Sequence, residues 1–147
     1  MEYLRSGGSY SELGEAWTKY TAYLVSIKER IPRAAYEYAF ASWHYDPRDH
    51  RAMHDSHLQQ VLIDSPGPWN PEGCRIQVTL LGAYGDGLIR LTYDGVYEYE
   101  LGDPRRPEPG PHTSEQPADW LTDEVRLGSS GRMIHEILFA GGRTWMI

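Results

Sequence analysis

Residues 76–93 read Ile-Gln-Val-Thr-Leu-Leu-Gly-Ala-Tyr-Gly-Asp-Gly-Leu-Ile-Arg-Leu-Thr-Tyr. Ile76, Val78 and Leu80 alternate with Gln77 and Thr79, and Ile89, Leu91 and Tyr93 alternate with Arg90 and Thr92. Successive side chains of an extended chain leave it on opposite sides, so a period of two marks a strand with one buried face. Gly85-Asp86-Gly87 between the two runs supplies the positive φ that a tight reversal needs. The stretch predicts an antiparallel hairpin, and the rest of the chain is read as additions to it.

Downstream, Asp94-Gly95 predicts a second turn into Tyr97, Tyr99 and Leu101. Residues 102–119 hold five of the ten prolines and no periodic apolar residues, which predicts a mobile, solvated loop. Strands are expected again over Trp120–Leu127, through Met133, His135, Ile137 and Phe139, and over Thr144–Ile147, with turns at Gly128–Gly131 and Gly141-Gly142. The apolar end is expected either to pair within the sheet or to run on into a natural continuation.

Upstream, His57-Leu58-Gln59-Gln60-Val61-Leu62-Ile63 reads as an incoming strand. Before it, Ser9 and Glu12 match a capping box, and Leu13, Trp17, Tyr20, Leu24, Ile27 and Ile31 recur at helical spacing. Pro32 stops or bends that helix and suits the first turn of another, in which Tyr36, Ala39 or Phe40, and Trp43 share a face up to about Tyr45. The expected fold is α+β, with N-terminal helices packed on a curved antiparallel β-meander of about six or seven strands. One domain is expected over residues 1–147, helical over 9–45 and β-rich over 57–147.

A chain of 147 residues is long enough for one core. The net charge of -7 argues against a nucleic-acid binder, which needs a basic stripe, and favours a basic partner. A single cysteine, Cys74, excludes an internal disulfide framework and fits a reducing compartment. With no apolar run for a signal peptide or a membrane span, the expected location is the cytoplasm, away from membranes.

Chemistry concentrates between Trp43 and Leu58, where four of the six histidines and three aspartates fall within sixteen residues. Were His50–His57 helical, His50, His54 and His57 would share one face, a workable metal site for a hydrolase. The other reading makes His54, Asp55 and His57 a structural junction, bonding the loose backbone groups where helix meets strand. No Gly-x-Ser-x-Gly elbow, phosphate-cradling loop or dinucleotide fingerprint is present, so no catalytic residues and no cofactor are implied. The aromatics Trp43, Tyr45, Tyr84, Tyr97, Tyr99 and Trp120 exceed what one small core holds, which predicts that some stand at a surface with wet polar tips.

Three stretches carry a resemblance: Tyr45-Asp46 leading to His54-Asp55-Ser56-His57-Leu58; residues 80–87 with Tyr93-Asp94-Gly95-Val96; and residues 119–126 with Ile134-His135-Glu136-Ile137. Over residues 32–147 the chain resembles small, acidic, uncharacterised bacterial proteins of the polymorphic-toxin immunity-protein type. The resemblance implies a non-catalytic protein that binds and neutralises a toxin, with a basic toxin domain as the expected partner, and it carries over no catalytic residue. Candidate partner-binding residues are Trp43, His44, Tyr45, Asp46, Trp120, Asp123 and Glu124, with acidic groups steering encounter and aromatics anchoring it. The alternatives are the metal-dependent hydrolase on His50, His54 and His57, and an assembly protein acting through a sheet edge.

Overall fold

The computed structural model describes residues 2–4, 10–65, 67, 72–102, 119–140 and 142–147. Helix α1 spans Tyr10–Ile27 and tightens into a 3-10 turn at Lys28–Arg30. The capping box expected of Ser9 and Glu12 lies outside the described residues and side chains. Ile31 is extended, as the residue before a proline prefers, and Pro32 starts helix α2, Arg33–Ala39.

Helix does not reach Tyr45. From Phe40 the chain runs through single turns closed by His44 N–H to Ala41 O, Asp46 N–H to Trp43 O and Asp49 N–H to Asp46 O. The reason is a competing bond: the Tyr38 carbonyl accepts from the Ala41 amide and also from the His44 ring, which turns inward. The stretch His50–Ser56 is not helical either, and Asp55 adopts a left-handed φ of 58°.

Strands follow at His57–Asp64 (β1), Cys74–Leu81 (β2), Leu88–Val96 (β3), Trp120–Leu127 (β4), Met133–Phe139 (β5) and Thr144–Met146 (β6). The α+β class and antiparallel pairing match the expectation, but the single meander does not form. There are two three-stranded sheets, β1-β2-β3 and β4-β5-β6. Asp94-Gly95 is no hairpin: Gly95, at φ 67°, lies inside β3, where the pairing shifts, and residues 97–101 make no strand of their own. That segment leaves the first sheet, and Glu100 pairs with Met146 beside β6. A second bridge, His57 to Asp119, joins the beginnings of β1 and β4. The first bridge ties the two sheets together at one point, and the second holds the segment leaving β3 against β6. The loop expected at 102–119 falls almost wholly outside the described residues.

One core cluster fills the space between the sheets, with Ile76, Val78, Leu80, Trp120, Ile137, Phe139 and Trp145 buried. A second gathers Tyr20, Leu24, Ile27, Ile31 and Ala39 around Val125. Where β4 lacks a full neighbouring strand, tyrosine hydroxyls stand in for one. Val125 N–H donates to Tyr20 Oη, Leu127 N–H donates to Tyr23 Oη, and the Tyr45 hydroxyl donates to Asp123 O. An open edge invites pairing with another chain, and here side chains close it.

Candidate functional site

Asp123 points into the boundary between the two core clusters. Its Oδ1 accepts from His44 Nε2 and Trp120 Nε1, each at 3.0 Å, and its Oδ2 from His135 Nε2 at 2.8 Å and the Tyr38 hydroxyl at 3.2 Å. Four donors match the four lone-pair sites of a carboxylate. His135 is delivered by β5, paired with Val125, while His44 comes from the turn after α2. The chemistry-bearing groups are almost closed to solvent: His44 is 2% exposed, Asp123 1% and His135 3%.

The hydrogen bonds fix the charges. His44 faces acceptors at both nitrogens, the Tyr38 carbonyl at 2.8 Å from Nδ1 and Asp123 at Nε2, so both must carry protons and the ring is an imidazolium. His135 faces the Tyr93 hydroxyl at 2.8 Å from Nδ1, and a hydroxyl can serve that nitrogen as donor or as acceptor. One buried anion thus meets the His44 cation, with the His135 imidazole, the Tyr38 phenol and the Trp120 indole filling the remaining sites. Burial alone would raise the Asp123 carboxyl, but the charge on His44 and hydrogen bonds from both histidines overcome it and hold it far below the usual carboxylate range. Burial likewise lowers His44, yet the charge and hydrogen bond of Asp123, with the Tyr38 carbonyl, leave it raised. Tyr38, Tyr45 and Tyr93 are pushed well above the usual phenol range, chiefly by burial.

Glu124, on the other side of β4, is also fully buried. Its carboxylate accepts the backbone N–H groups of Glu2 and Tyr3 at 2.7 Å and that of Leu4, pinning the N-terminal segment beside α1. Tyr3 stacks on Tyr23 there, with ring centroids 5.1 Å apart.

These placements correct the partner-binding residues expected from sequence. His44, Trp120, Asp123 and Glu124 are buried and cannot meet a partner in this fold. Tyr45 is half-buried with its hydroxyl committed to β4, and Trp43 is half-buried with the Arg51 guanidinium 5.3 Å from its ring. Only Asp46 of that set is exposed. The metal arrangement is corrected as well, because the three histidines diverge to three carboxylates: His50 to Asp86, His54 to Asp55 and His57 to Asp119. Among the described residues no group of three such side chains could hold a metal ion. His54, Asp55 and His57 do sit at the entry to β1, where Asp55 N–H donates to Trp120 O. His50 also stacks on Tyr84, whose hydroxyl donates to Pro47 O, so this contact ties the β2–β3 turn to the chain before β1.

Sequence reasoning missed Tyr38 and His135 as partners of Asp123, and Tyr93 as the partner of His135. One signal was present: His135 takes an inward place in the alternation Met133, His135, Ile137, Phe139, where an apolar residue is expected. The exposed aromatics lie elsewhere, with Tyr97 59% and Tyr99 45% exposed beside the exposed Glu98 and Glu100. No described helix is long and apolar enough to cross a membrane. Comparison with protein-family models, curated proteins and solved structures gives no match.

Proposed function

We propose that this protein is a non-catalytic cytoplasmic binding protein of the immunity type, which recognises a basic protein partner through Tyr97, Glu98, Tyr99 and Glu100. The observation that carries the reading is a separation of roles. The acid–base groups gathered around Asp123 are buried and mutually satisfied, whereas aromatic and acidic side chains stand together in solvent on the segment joining the two sheets. Tyrosines are effective anchors because they bury large area at low entropic cost, and carboxylates beside them speed encounter with a cationic surface. The net charge of -7 supports the same partner chemistry.

The test is a calorimetric titration against a toxin domain encoded beside this protein's gene, with a growth-rescue assay. A one-to-one complex is expected, with affinity falling at least about tenfold in the double variant Tyr97→Ala, Tyr99→Ala. Its association rate should fall as salt is raised. Full rescue by the double variant, or neutralisation without a complex, contradicts the reading.

A further inference from the structure

We propose that the outer edge of β1 is the contact surface of a symmetric dimer, in which two copies of this chain pair antiparallel with Leu62 on the two-fold axis. The other edges are closed or guarded. Tyrosine hydroxyls cover β4, Glu100 continues the second sheet beside β6, and β3 carries Arg90, Asp94 and the left-handed Gly95. Beyond its first residue, β1 has no strand neighbour other than β2 among the described residues. Proteins guard free edges with lysine, proline or charge, and between Leu58 and Ile63 this strand has none. It exposes apolar surface instead, Leu62 at 49% and Ile63 at 43%.

The strand is also complementary to itself. Pairing about Leu62 sets Leu62 against Leu62 of the second copy, Val61 against Ile63, and Gln60 against Asp64. The faces agree, as they must in a regular antiparallel pair. Val61 and Ile63 lie opposite Val78 and Ile76 on the core-facing side of β2, while Gln60, Leu62 and Asp64 lie opposite Thr79, Gln77 and Arg75 on its outer side. Each apolar residue meets an apolar residue, and the Gln60 amide can donate to the Asp64 carboxylate. The pairing shift between Leu58 and Gln60 ends the regular stretch and limits the contact to these five residues.

So short an edge buries less than a standard interface of about 1,600 Å², so the dimer is a weak one that forms at micromolar concentrations or above. Two copies of an acidic chain repel, and salt should therefore tighten this contact while it weakens a charge-steered partner. Sedimentation of the full chain from roughly 10 to roughly 500 µM should show the mass rising towards that of a dimer. Leu62→Lys, a substitution at an exposed position, should raise the dissociation constant at least about tenfold by opposing two ammonium groups on the axis. Mixing Leu62→Lys with Leu62→Glu should restore a heterodimer, and Leu88→Lys, exposed but off this edge, should leave the wild-type behaviour. A monomer throughout the range, or a dimer indifferent to Leu62→Lys, overturns the proposal.

Discussion

Asp123 shows how much one residue can organise. A buried carboxylate is tolerated because every lone pair is used and one neighbour carries the opposite charge, so removing that charge should cost more than removing an ordinary hydrogen bond. Asp123→Asn removes the counter-charge of His44, whose ring must then give up a proton and one of its two hydrogen bonds, and urea denaturation should show a loss of about 3–5 kcal/mol. The pH dependence follows from the two shifts. His44 is raised in the fold, so its contribution is complete below its ordinary value near 6.5 and is lost as pH rises through the raised one. Asp123 is depressed, so its contribution is present above about 3.9 and is lost as pH falls through the folded value. The pair therefore stabilises most between about pH 4 and about pH 6.5, and His44→Gln should flatten the alkaline decline in the urea midpoint. Ser56 is the counter-case, a buried hydroxyl with no hydrogen-bond partner among the described residues. Ser56→Ala should be neutral or stabilising by up to about 1 kcal/mol in the same assay. From sequence, Asp123 looked like a surface acid beside Trp120, because nothing local shows that His44 lies 79 positions away in sequence and 3.0 Å away in space.

At the scale of elements, periodicity and turn chemistry located what depends on near neighbours. The alternation of Ile76, Val78 and Leu80 became β2, the helical spacing of Tyr20, Leu24 and Ile27 became the buried stripe of α1, and Pro32 separated the helices. What failed depended on distant bonds. Helix α2 ends at Ala39 because His44 turns back to the Tyr38 carbonyl, and Asp94-Gly95 stays inside β3 because the chain beyond it pairs with Met146. The edge of β4 is the sharpest case, since Tyr20 read as one more apolar position on a helix yet serves as a backbone partner. Its hydroxyl both accepts from Val125 N–H at 2.7 Å and donates to Val125 O at 3.2 Å. Tyr20→Phe orphans both groups while keeping the ring, and equilibrium unfolding should show a cost of about 1–3 kcal/mol. Tyr23→Phe, which frees only the half-buried Leu127 N–H, should cost less.

For the whole molecule, class and strand direction were legible, but the division into two sheets was not. The bridges between the two halves join His57 to Asp119 and Glu100 to Met146, and pairs so far apart leave no mark on a local pattern. The candidate site moved for the same reason: Trp43 to Asp46 read as a partner-binding surface, and the fold draws His44 inside to meet Asp123. The molecule that results keeps the Asp123 cluster within and offers tyrosine and glutamate outside. Nitrogen-detected NMR of the histidine rings tests that division most directly. The account predicts that His44 carries two ring protons at neutral pH, both exchanging slowly with solvent, and that the doubly protonated signal disappears in Asp123→Asn. A neutral His44 ring, or ring protons that exchange freely with water, would contradict it.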